Sequence, residues 1–155
     1  MTVADVVIGA VDWSRYQLLD GPASRFGRQL AEFVAESPVD GRRDLWETME
    51  NHVFAQDDIF SAAEPTISVL LASLLDERPQ HVRIAILDLL FHLVRATSYR
   101  DDDLGRRCLE KAAPGGWLLV REGLTGPGVV TEACLDVLDI ASPECAQFVR
   151  TWMRS

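Results

Sequence analysis

The side chains able to do chemistry in this chain are few and scattered. Asp88 and His92 stand four apart in an apolar stretch, so one helix would carry both on one face. His52, on a preceding helix, could approach them. A carboxylate and two imidazoles make a three-ligand metal set, which would support a metal-dependent or lyase-type enzyme using His52, Asp88 and His92. The signal is weak, because no H-E-x-x-H is present and a single histidine within a helix more often serves a structural hydrogen bond. There is no G-x-x-x-x-G-K-[ST] loop, dinucleotide fingerprint or nucleophile elbow. Asp101, Asp102 and Asp103 lack the spacing of a calcium loop and read instead as the cap of the following helix. Cys108, Cys134 and Cys145 are odd in number and contain no C-x-x-C, which argues against a disulfide framework and a zinc knuckle. Cys134 reads as a small buried hydrophobe, and Cys108, after Arg106 and Arg107, is the one candidate for a reactive thiol. The expectation is a chain with no catalytic residue, no metal and no cofactor.

The elements that would position these groups are helices. Residues 65–97 spell two apolar helices joined by a tight acidic turn. Ile67, Leu70, Leu71, Leu74 and Leu75 make one stripe, and Val82, Ala85, Ile86, Leu89, Leu90, Leu93 and Val94 the next. Ile84, Leu87 and Phe91 lie off that second stripe, so one partner surface cannot cover the helix. Stacked hairpins would. Upstream, Phe26, Leu30, Phe33 and Val34 predict a helix over 24–36, and Ser37-Pro38 opens another to residue 54 with Leu45, Trp46, Met49 and Val53 inward. Ser61 and Glu64 have capping-box spacing. The chain reads as one domain, 1–155, with hairpins at about 24–54, 61–97 and 103–153, the last with an extra C-terminal helix. Shifted by 48 positions, VRIAILDLLFHL at 82 lies over VTEACLDVLDIA at 130, matching Val82 to Val130, Asp88 to Asp136 and Leu90 to Leu138.

Charge narrows the partners. Fifteen Lys+Arg against 24 Asp+Glu leave a formal charge of −9, which opposes direct binding to nucleic acid and favours a basic protein partner. The N-terminus lacks the basic residue of a signal peptide, and no apolar run reaches membrane-spanning length, so a cytoplasmic protein without membrane contact is expected, monomeric or a weak homo-oligomer.

VDW at 11–13, LWETMENHVF at 45–54, a linker with Gln56, Ile59, Phe60 and Ala62, then Pro65, an LL-rich helix and R-x-x-I-L-x-L-L from Arg83 resemble the small HEAT-repeat proteins common in actinobacteria. The resemblance is good over residues 11–97 and looser beyond. Ala55, Asp57 and Asp58 stand where the family's linker has the His, Gly and Thr of a His-Gln-Gly-Thr motif. The resemblance implies an all-α fold, a right-handed α-solenoid of about three HEAT-like helical hairpins (an α-α superhelix). It also implies a non-catalytic binding module, an immunity or regulatory protein whose basic partner is a toxin or nucleic-acid enzyme. With the second helix of each hairpin lining a concave face, the partner-binding residues would be Asp44, Thr48 and Asn51, then Ile84, Asp88 and Phe91, then Glu132, Asp136 and Asp139. The bland alternative packs Phe91 on a neighbouring hairpin and leaves the carboxylates as solvated surface.

Overall fold

In the computed structural model, which describes residues 1–35 and 39–155, the apolar stretch at 63–97 is helical on either side of a short turn. The structure as a whole is predominantly helical. Helix α1 (Val3–Ala10) is followed by a 3-10 turn at Trp13–Arg15 and a small hairpin of β1 (Gln17–Leu18) and β2 (Gly21–Pro22). Helices α2 (Phe26–Val34) and α3 (Val39–Glu47) come next, then a second hairpin of β3 (Phe54–Ala55) and β4 (Asp58–Ile59). Five further helices are α4 (Ala63–Ser73) and α5 (Gln80–Thr97), α6 (Asp103–Ala112) running through a 3-10 turn into α7 (Gly116–Thr125), then α8 (Gly128–Ala141); α9 (Pro143–Arg154) adds a sixth.

Burial follows the stripes read from the sequence except at Leu75, which is exposed, and Ala85, which is half-buried. Val82, Ile86, Leu89, Leu90, Leu93 and Val94 of α5 are buried, and so is Leu87 from outside that stripe. Ile84 and Phe91 are half-buried against the core. Helices α4, α6 and α8 pack against α5 and account for its surplus of apolar positions. Helix α4 lies against both α1 and α6, α8 against both α5 and α7, and α9 packs on α7 and α8. Gly115 permits part of this. A Cβ there would fall 2.6 Å from Leu71, so the Pro114-Gly115-Gly116 run lets the α6–α7 junction close onto α4.

Helix α1 is fixed at its start by two carboxylates. Thr2 and Asp5 form a capping box, and Asp76 in the α4–α5 turn accepts from the amides of Val3 at 2.8 Å and Ala4 at 3.2 Å. Asp102 caps α6 by accepting from the Gly105 amide at 3.0 Å.

Two local expectations are corrected. The helix expected to reach residue 54 stops at Glu47, because the chain then turns on itself. Thr48 donates its hydroxyl to the Leu45 carbonyl at 2.6 Å, Asn51 takes a φ of 63°, and Phe54 pairs with Ile59. Met49 and Val53 stay buried without being helical. The Ser61–Glu64 capping box does not form. Ser61 Oγ accepts from the Gln17 amide at 2.8 Å, Glu64 takes Arg107 Nε at 3.1 Å, and α4 starts at Ala63 with no side-chain cap. The expected Ser37-Pro38 cap lies outside the described residues.

Candidate functional site

Helix α5 carries Ile84, Asp88, Phe91 and Arg95 at i, i+4, i+7 and i+11, one stripe on its outer side. Asp88 is exposed beside His92, with 3.7 Å between Nε2 and Oδ1. Partial burial pushes its carboxyl above the ordinary range, and His92 opposes that rise. Phe91 meets His92 edge-on at 5.9 Å and lies 6.0 Å beneath the Arg95 guanidinium, which also covers Tyr99 at 6.0 Å. The His92 ring stacks on Phe54 at 5.0 Å and approaches Trp46 at 5.5 Å, so α3 and β3 are joined to α5 through aromatic rings.

Helix α8, packed against α5, repeats the pattern at the 48-residue shift. Val82 and Val130, Ile86 and Cys134, Leu87 and Leu135, Leu89 and Val137, and Leu90 and Leu138 are all buried, while Asp88 and Asp136 are both exposed. The correspondence extends to a position no stripe would single out. Arg83 on α5 donates to backbone carbonyls of the turn before it, to Leu74 at 3.3 Å, Asp76 at 3.0 Å and Arg78 at 3.3 Å. Its counterpart Thr131 donates to the Gly123 carbonyl at 2.6 Å and to Pro127 at 3.4 Å. Arg83 thus ties α5 to the turn that leads into it with a guanidinium, and Thr131 ties α8 to the end of the preceding helix α7 with a hydroxyl.

Of the sequence-predicted partner-binding residues, Ile84, Asp88 and Phe91 lie on α5 and Glu132, Asp136 and Asp139 on α8. Glu132 and Asp136 are exposed. Asp139 is held by Arg150 of α9 through two bonds of 2.6 Å, so its charge is largely matched. Asp44 lies two residues from Trp46, on the far side of α3 from the Trp46–His92 contact. Thr48 and Asn51 fall in the turn after α3 rather than on a helix. The α5 and α8 members therefore lie on two helices that pack against each other, while the first three lie on α3 and in the turn after it.

The metal reading finds no geometry. His52 faces Asp20 at 3.2 Å and His92 faces Asp88, and among the described residues no three His, Cys, Asp or Glu side chains come together as a ligand set. All three cysteines are buried and free. Burial pushes the Cys108 and Cys134 thiols up to about 12, so Cys108 is not the reactive thiol its neighbours Arg106 and Arg107 suggest. A groove of about 530 Å³ between α4 and the α6–α7 junction, with Leu71, Leu75 and Leu118 in its walls, is lined by no residue of α5 or α8.

Comparison with protein-family models, with curated proteins and with solved structures finds no match to this chain. The functional reading rests on its own residues. Among the described residues no helix is long and apolar enough to cross a membrane.

Sequence reasoning missed the arginines. Arg95 and Arg150 border the acidic stripe, and Arg83 reaches Glu122 of α7 at 2.6 Å, where Glu122 is only 7% exposed. The one available signal was a charge at position 83, set between the apolar residues Val82 and Ile84.

Proposed function

We propose that this protein is a HEAT-like α-solenoid of about three hairpins that acts as a non-catalytic binding module, holding a basic protein partner on the outer stripes of α5 and α8. One observation carries the reading. Equivalent positions on two packed helices, 88 and 136, present exposed carboxylates that no arginine or lysine among the described residues neutralises. Half-buried Ile84 and Phe91 supply apolar surface on the same stripe as Asp88, and an apolar anchor ringed by charge is how protein hot spots are built. Carboxylates without an arginine or lysine partner add little to folding, so their repetition is more economically assigned to recognition than to stability. A partner of this kind would be a toxin or nucleic-acid enzyme with a basic surface, and the chain its immunity or regulatory counterpart.

The test is charge reversal at Asp88 and Asp136 to lysine. Binding of the basic partner should fall at least ~100-fold while the far-ultraviolet dichroism stays unchanged. Unaltered affinity would place the contact surface elsewhere.

A further inference from the structure

Helices α7 and α9 expose aromatic surface that no described part of the fold covers. Trp117 is 65% exposed, Trp152 51% and Phe148 49%. Trp117 and Phe148 already stack on each other, with ring centroids 5.4 Å apart and planes at 29°. Phe148 and Trp152 stand one helical turn apart on α9, along the edge of the face that buries Cys145, Ala146 and Val149. Rings this large and this rigid lose little further freedom when covered, and clusters of exposed tryptophan mark interaction surfaces.

The charges around the rings are complementary to themselves. The stripe formed by Glu144, Phe148 and Trp152 begins with a carboxylate in the first turn of α9, and the helix ends with Arg154 in the last turn. Arg150 is already engaged by Asp139. Two copies of α9 laid antiparallel place Glu144 of one near Arg154 of the other, and oppose the two helix dipoles. The rings then meet across the symmetry axis, Phe148 of one copy beside Trp152 of the other. Each aromatic ring can cover about 150–250 Å². Three such rings per copy, about half exposed, supply roughly 450–750 Å² across the two copies, and the chain around them would have to supply the rest of the roughly 1,000 Å² that a specific interface needs. The overall charge of −9 does not prevent this, because α9 itself carries two arginines against one glutamate.

We propose that the aromatic face of α7 and α9 is the interface of a twofold-symmetric homodimer with antiparallel α9 helices. None of its three rings belongs to the stripes of α5 and α8, although Arg150 of α9 holds Asp139 of α8, so a dimer would present two such stripes at once. The full chain is tested by sedimentation velocity from about 1 to about 200 µM. The expected result is a concentration-dependent dimer, with tryptophan emission moving to the blue as Trp117 and Trp152 lose water. Trp117→Ala with Phe148→Ala should weaken the dimer at least ~10-fold with unchanged dichroism. Because losing both rings could also loosen α7 from α9, a second set uses exposed charges. Glu144→Arg and Arg154→Glu should each weaken the dimer several-fold, and the two together in one chain should restore it. A chain that stays monomeric throughout the range overturns the proposal, whether the face is bare or belongs to a different protein. So does a dimer indifferent to both sets of substitutions.

Discussion

Arg83 is the residue on which the largest single loss is expected. It joins the α4–α5 turn to α7 through three backbone carbonyls and the Glu122 carboxylate. Arg83→Met would leave that buried carboxylate with only a 3.5 Å contact from Arg121, and should cost about 3–5 kcal/mol in urea denaturation. Adding Glu122→Leu should recover most of the loss, since an apolar pair has no charge to strand. The thiols give a second residue-level prediction. Cys108 and Cys134 should resist alkylation at pH 8 until the chain unfolds. Their folded values, raised to about 12 by burial, exceed the 9.0 expected of an exposed thiol. The unfolded chain therefore releases these protons first, and the stability they contribute is complete below about pH 9 and is lost as pH rises towards 12. Denaturation midpoints across that window check it.

At the scale of elements, α1 depends on a carboxylate from a distant turn. Asp76→Ala removes the acceptor for two amides at its start, and should cost about 1–2 kcal/mol with hydrogen exchange accelerated across residues 3–10. Burial alone would raise the Asp76 carboxyl, but the amides of Val3 and Ala4 and the guanidinium of Arg78 outweigh it and hold it below the ordinary range. Its contribution is present above the unfolded carboxylate pKa and fades as pH falls through the lowered value. This dependence was invisible in the sequence, because Asp76 and Val3 are linked only by the tertiary fold. What could be read was set by local periodicity. The stripes of α4, α5 and α8, and the Asp102 cap, follow from which side chains must be buried and which amides need a partner. The region after Glu47 could not be read in this way. Leu45, Trp46, Met49 and Val53 keep helical spacing, yet that stretch is held by long-range bonds, the Leu19 amide to the His52 carbonyl at 2.8 Å and Arg100 to both Asp58 and the Ile59 carbonyl. No pattern within ten residues encodes those contacts.

At the scale of the molecule, two packed helices of matching burial carry carboxylates at matching positions, and α9 closes the chain with exposed aromatic rings. The matching carboxylates at 88 and 136 were legible from the 48-residue shift. Their charged surroundings were not, because Arg150 reaches Asp139 from α9 only through the fold. The most direct measurement is quantitative capture of the cognate basic protein by wild-type chain and by the Asp88→Lys, Asp136→Lys variant, at equal loading and over a series of salt concentrations. The account predicts a stoichiometric partner on the wild-type chain, released by rising salt and absent from the variant, whose helical content is unchanged. The same partner held equally well by both chains would contradict it.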